Sequence, residues 1–241
     1  HERRTAAMRH AGLEQVYILP FDQEVASLSP TDFATRILRD RLNAQTIVVG
    51  ENFRFGARQA GDAATLREIG FAVEVHPHVT WHGRMASSTN VRNLLGEGEV
   101  AWAARLLGSF YGIDGQVVSG DGIGRTQTVP TLNLESRAAV LPAHGVYVTQ
   151  TFDLDSPRQW RSITNIGVRP TFGRDELRVE TYLLDRLSDP SPHRIRVEFL
   201  HRVRNERKFR NAEELKAQIL RDVRRAESWF RHAHRVQKKY Q

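Results

Sequence analysis

The sequence predicts an α/β module over roughly the first hundred residues, followed by a six-stranded antiparallel β-barrel that a long helix closes. Three observations carry this prediction. Before residue 100, short β-branched runs are separated by helical stretches, the pattern of a parallel sheet with crossovers. From Tyr111 to Phe199, six short strand-like runs follow one another with turns and no helix between them. At 241 residues, the chain has room for one large domain or two modest ones with real cores. The boundary is expected near 100–111, dividing the chain into 1–107 and 108–241.

In the first module, Arg3 to Ala11 and Pro30 to Arg41 are the helix candidates; Ser29-Pro30 with Asp32 gives the second a capped start. Val16 to Leu19, Thr46 to Val49 and Phe71 to Val75 are the expected strands. Gly50 to Gly56 follows the strand ending at Val49, where ligand loops of open α/β sheets lie. Ser87-Ser88-Thr89 opens a helix through about Leu95, and Gly98-Glu99 opens another through about Leu107. Gly108 to Gly112 reads as a linker.

The barrel strands are expected at Tyr111 to Val118, Val129 to Leu134, Gly145 to Phe152, Trp160 to Ile166, Arg178 to Leu184 and Arg194 to Phe199. The closing helix starts at Asn211 as N-cap, with Glu214 completing a capping box. Leu215, Ile219, Val223, Ala226 and Phe230 mark one apolar face.

Composition narrows the function classes. Apolar residues at 40% and charged residues at 26% are globular values and argue against disorder. The longest tolerable apolar stretch, Val100 to Ile113, is broken by Arg105, so no membrane span is expected, and the start has no signal-peptide pattern. The absence of cysteine excludes a disulfide scaffold, a thiolate metal site and a Cys nucleophile, and fits a reducing cytoplasm. The chain begins at His1, which suggests a fragment lacking its natural start. Its net charge of +7 is concentrated in residues 201–241, with 13 Lys+Arg against 5 Asp+Glu. Such a tail either tracks nucleic-acid phosphates or is a solvated helix face.

The densest candidate site is Gly120 to Leu134. Gly120, Gly122 and Gly124 with Arg125 fit a loop whose backbone N–H groups cradle phosphate, and equally a flexible hairpin. No helix and no Gly-Lys-Ser/Thr follow, so this is neither a Walker loop nor a dinucleotide fingerprint. Thr131 and Asn133, two apart on a strand, share a face and offer neutral oxygens suited to a hard cation such as Mg²⁺ on ATP phosphates. They also fit as plain outward strand polars. Glu180 stands opposite in facing to Val179 and Leu183 and suits proton removal from an attacking hydroxyl. It reads as well as a surface carboxylate paired with Arg178 or Arg194. Ser88, Thr89 and Arg92 lie at a helix start, where free N–H groups and the dipole favour phosphate, or serve as a cap with a solvated Arg. Asn52, Phe53 and Phe55 would hold and stack a flat ring, or the two Phe are core. The ten histidines form no helical metal cluster, so a zinc site is not expected.

Several of these segments together carry a resemblance. Gly124-Arg125 followed by Pro130-Thr131-Leu132-Asn133-Leu134 resembles the riboflavin kinase signature. Leu141-Pro142, Gly145-Val146-Tyr147, Asn165 to Phe172, Val179-Glu180, Leu184-Asp185, Val197 to Leu200 and Glu206 to Phe209 follow in that family's order. Gly50 to Gly56 and Ser87 to Arg92 are similar to the adenylyltransferase module of the bacterial bifunctional riboflavin kinase/FAD synthetases. The resemblance implies an α/β nucleotidyltransferase-like (Rossmann-like) module, N-terminally truncated, before a β-barrel riboflavin kinase domain with a C-terminal helix. It implies ATP, riboflavin and FMN as small-molecule substrates, Mg²⁺ as cofactor, and neither nucleic acid nor membrane as partner. Glu180 would be the base, Gly120, Gly122, Gly124 and Arg125 the ATP contacts, and Thr131 and Asn133 the metal ligands. Asn52, Ser88, Thr89 and Arg92 would bind nucleotide and flavin in the first module.

Two departures accompany the resemblance. Thr128 stands where the family usually has Gly, and the family's His-x-Gly-His motif is absent. The rival readings are a basic nucleic-acid-binding barrel, and an FMN adenylyltransferase with a merely structural barrel.

Overall fold

The computed structural model describes residues 2–118, 131–136, 138–171, 174–187 and 190–239. The chain divides into two compact units, His1–His78 and Val79–Gln241.

The first unit opens with α1 (Glu2–His10), α2 (Gln23–Ser27) and α3 (Pro30–Asp32), the last continuing as a π-helix over Phe33–Arg41. Ser29 caps α3 as its position before Pro30 predicts, its hydroxyl accepting from the Asp32 N–H at 3.0 Å. Strand β1 (Thr46–Gly50) pairs in parallel with β2 (Ala72–His76), from Thr46 opposite Ala72 to Gly50 opposite His76. Between them α4 (Ala63–Glu68) starts in a capping box: Asp62 accepts from Thr65 N–H, and the Thr65 hydroxyl accepts from Asp62 N–H. Ala34, Phe55, Leu66 and Phe71 form the core. The expected strand at Val16 to Leu19 does not form. Tyr17 and Ile18 are exposed, no strand lies alongside among the described residues, and Pro20 removes a donor just beyond.

The second unit begins with a tight hairpin, β3 (Thr80–Trp81) and β4 (Arg84–Met85), then α5 (Ser88–Glu97) and α6 (Val100–Leu107). Gly98 and Gly108 end these helices in the left-handed conformation. The predicted linker is shorter than expected. It stops at Phe110, because Gly112 already pairs with Glu198 inside a strand.

Six strands follow: β5 (Tyr111–Val118), β6 (Thr131–Glu135), β7 (Gly145–Asp153), β8 (Gln159–Thr171), β9 (Arg174–Leu183) and β10 (Arg194–Asn205). They close an antiparallel barrel in the order β10-β5-β6-β9-β8-β7. Alternation sorts each strand. Leu132, Leu134, Val179, Leu183, Ile166 and Val197 point inward into a core that also takes Leu94, Leu95, Val100 and Ala103 from α5 and α6. The interior also holds a line of fully buried hydroxyls, Thr151, Ser162, Thr149, Thr164 and Thr181, linked at 2.8–3.0 Å.

Helix α7 (Ala212–Lys239) covers the outer face, packing Ala226 and Phe230 on Val146, Val148 and Ile163. Asn211 caps it, accepting from Glu214 N–H at 2.8 Å, while the Glu214 carboxylate reaches back to Arg210 N–H rather than to the cap itself. The buried stripe departs from the predicted one. Leu215 is exposed, and the polar Gln218 and Asp222 are buried in line with Ala226 and Phe230. A strand arginine, described below, makes that burial tolerable.

Candidate active site

The barrel's outer face brings together three of the expected residues. On β6, Leu132 and Leu134 fill the core, so Thr131 and Asn133 face outward and are half-buried. On β9, Val179, Thr181 and Leu183 are inward, so Glu180 and Tyr182 share the outward face. The register sets Asn133 opposite Glu180 and Thr131 opposite Tyr182. On the other flank, Asn165 of β8 is also opposite Glu180. Glu180 therefore stands between two asparagine side chains, one on each neighbouring strand. Arg194, one of its two possible partners from sequence, pairs instead with Asp155 at 3.6 Å.

A cleft of about 290 Å³ opens between this face and the start of α7, lined by Glu180, Asn165 and Tyr182 on the barrel side and by Leu215, Ile219 and Asp222 on the helix. Arg204 of β10 forms its floor with Asp222: the guanidinium donates through Nε at 2.8 Å, and Gln218 Nε2 donates to the other carboxylate oxygen at 2.7 Å. A buried carboxylate needs such partners, since an unpaired charge would cost several kcal/mol, roughly, in an apolar site. The mix of an apolar helix face with a few fixed polar groups is what a flat, partly polar small molecule requires.

Two observations bear on a cation. The Thr131 hydroxyl oxygen is buried and has no hydrogen-bond partner among the described residues. Burial, and secondly the Glu180 charge, push the neighbouring Tyr182 phenol above its ordinary pKa; the Thr131 hydroxyl opposes the rise without completing a well-formed hydrogen bond. An orphaned hydroxyl oxygen beside an amide and a carboxylate is a hard-oxygen set of the kind Mg²⁺ accepts. Among the described residues no group of three His, Cys, Asp or Glu converges as a metal cage.

The remaining expected residues fall elsewhere. Gly120, Gly122, Gly124 and Arg125 lie outside the described residues, as do Thr128 and Pro130. Ser87, not Ser88, caps α5, accepting from Asn90 N–H at 3.2 Å. Ser88, Thr89 and Arg92 are thereby left exposed in the first turns. Asn52 is exposed in the first unit, in the turn after β1. Phe55 is a core residue of that unit, and Phe53 stacks on it at 5.6 Å. Sequence reasoning gave no role to Asn165, Tyr182, Arg204 or Asp222. The readable signal was Asp222 itself, a carboxylate inside an apolar helical stripe.

The riboflavin kinase family matches residues 107–230, and the FAD synthetase family matches residues 1–90. The bifunctional riboflavin kinase/FMN adenylyltransferase of Pseudomonas fluorescens is 37% identical over 226 residues, covering 92% of this chain and 72% of that protein. The Escherichia coli K12 protein of the same name is 35% identical over 227 residues, with the same coverage. The chain belongs to the bifunctional riboflavin kinase/FMN adenylyltransferase family. In this family member the kinase match spans all six barrel strands and much of α7, whereas the FAD synthetase match ends within the first turn of α5. A crystal structure of a Streptococcus pneumoniae protein described as a macrolide-efflux protein shares the fold, with a TM-score of 0.86 and 30% identity over 95% of this chain and 74% of that one. In the described residues of this riboflavin kinase/FMN adenylyltransferase relative, no helix is long and apolar enough to cross a membrane.

Proposed function

We propose that the barrel transfers the γ-phosphate of ATP to the 5′-hydroxyl of riboflavin, giving FMN and ADP. The observation that carries this reading is the position of Glu180 on the cleft, between Asn133 and Asn165. The riboflavin hydroxyl oxygen forms a bond to the γ-phosphorus as the bond to the ADP oxygen breaks, and Glu180 takes the hydroxyl proton. The cleft against α7 receives the flavin, its ring on Leu215 and Ile219. Thr131 and Asn133 would hold Mg²⁺, and the orphaned Thr131 oxygen supports that assignment. When bound, the cation neutralises charge on the nucleotide phosphates. Gly120, Gly122, Gly124 and Arg125 contact those phosphates by resemblance.

The same reading gives residues 1–107 to FMN adenylylation and 108–241 to the kinase. Asn52, Ser88, Thr89 and Arg92 then bind flavin and nucleotide, and the free N–H groups at the start of α5 support the phosphate part of this. ATP as donor implies action in the cytoplasm. Chromatography of products from riboflavin, ATP and Mg²⁺ tests the proposal: FMN is expected, and its absence would overturn it.

A further inference from the structure

Helix α5 carries Ser88 and Thr89 at one end, yet its other end is held by the kinase barrel. Arg202 of β10 donates through one terminal nitrogen to the Glu97 carbonyl, at 2.7 Å, and through the other to the His144 carbonyl, at 2.8 Å. The first carbonyl closes α5; the second immediately precedes β7. Two glycines give the guanidinium its passage. A Cβ on Gly98 would lie 2.5 Å from Arg202, and one on Gly145 3.2 Å from it. Gly98 also takes φ of 79°, the left-handed value a C-cap needs. Two residues back, Ala143 N–H donates to the Leu95 carbonyl at 2.8 Å, and Leu94 and Leu95 enter the barrel core.

A cation at a helix C-terminus is favoured by the dipole, and a forked guanidinium fixes two carbonyls at once. A helix of ten residues is marginal by itself in water, so its anchorage sets its order. It is also a rod about 15 Å long, which carries a tilt at one end to the other.

We propose that Arg202, a residue of the kinase barrel, is a positioning residue for adenylyl transfer: it clamps the C-terminal end of α5 and so holds Ser88, Thr89 and Arg92 in place for the nucleotide. This rests on the reading of those three residues as nucleotide contacts. Arg202 does not line the cleft that holds Glu180, so phosphorylation of riboflavin is expected to proceed unchanged without it.

Amide hydrogen exchange on the 241-residue protein, with and without ATP and Mg²⁺, tests the clamp. In Arg202→Ala, exchange across 88–97 is expected to rise about tenfold or more while the barrel strands and the riboflavin phosphorylation rate stay unchanged. Protection of 88–92 by ATP is expected in the wild type and should need about ten times more ATP in the variant. Arg202→Lys keeps the charge but not the fork and should restore protection only in part. Should Arg202→Ala fail to fold, Gly98→Ala disturbs the same clamp from the helix side and should loosen α5 alone. Unchanged exchange of α5 in these variants would overturn the clamp. Faster exchange with undiminished ATP protection would overturn its positioning role. No ATP protection in the wild type would overturn the nucleotide reading of Ser88, Thr89 and Arg92, and the proposal with it.

Discussion

Asn133 stands directly opposite Glu180 in the β6–β9 ladder, both on the outward face of the barrel. Cross-strand neighbours of this kind have Cβ atoms about 4.5–5.5 Å apart. The proposed proton acceptor and a proposed metal ligand are thus spaced by backbone hydrogen bonds, not by a loop. A slip of one residue would send one of them into the core, so the register that packs Leu132 and Val179 also assembles the site.

Glu180→Gln preserves size and hydrogen bonding but cannot accept a proton. Steady-state kinetics should show kcat for riboflavin phosphorylation falling by about 10²-fold or more, with KM for riboflavin nearly unchanged. A rate near that of the wild type would leave Glu180 a structural residue.

Asn133→Ala removes one oxygen from the outward face and nothing from the core. The apparent affinity for ATP with Mg²⁺ should weaken while the thermal unfolding curve stays in place. Equal ATP affinity and equal rate in the variant would take Asn133 out of the metal site.

The two activities should separate in the 241-residue polypeptide. Adenylyl transfer needs charge stabilised on the α-phosphate and the leaving pyrophosphate. The His-x-Gly-His motif that serves this in the resembling family does not occur among the ten histidines of this sequence. Incubation with riboflavin, ATP and Mg²⁺ should yield FMN with little or no FAD. FAD formed as fast as FMN would show that other residues supply that stabilisation.

Acid should weaken the barrel through Asp185. Burial raises its pKa, but hydrogen bonds from Arg161 side chain and backbone outweigh that and hold it below the usual 3.8. The folded state therefore favours the charged carboxylate. Its contribution is present above pH 3.8 and is lost as pH falls further, through the folded-state pKa. Thermal melts from pH 6 to 3 should show a decline below about pH 4 that is smaller in Asp185→Asn. An identical decline in both proteins would assign it to other carboxylates.

The barrel was largely readable in the sequence because each strand repeats one rule. Tyr111–Val118 begins and ends where alternation places it, and Thr131 and Asn133 face outward because Leu132 and Leu134 cannot. Shorter elements escaped. The hairpin β3–β4 has two residues per strand, and α4 has six residues, too few for a period to register. Val16 to Leu19 has strand composition, but composition does not disclose whether a partner strand lies beside it. The Arg204–Asp222 pair was out of reach for a related reason: it joins β10 to α7 and exists only once the helix has docked.

The row of hydroxyls inside the barrel ends on a group that can only accept, the Thr149 carbonyl, 3.0 Å from the Ser162 hydroxyl. Ser162 owns one proton, and giving it to that carbonyl sets the direction of all the others. Thr149 and Thr151 must then both donate to Ser162, so Thr149 accepts from Thr164, and Thr164 from Thr181. In that arrangement every rotor along the row is turned toward one sink, and none can reverse alone. Ser162→Ala would therefore leave the protons of Thr149 and Thr151 without their acceptor and unsettle the threonines behind them. An unsatisfied buried hydroxyl costs about 1–3 kcal/mol, whereas replacing both partners by apolar groups of like shape is nearly neutral. The barrel interior should thus accept the exchange of the whole row more readily than the loss of its terminus.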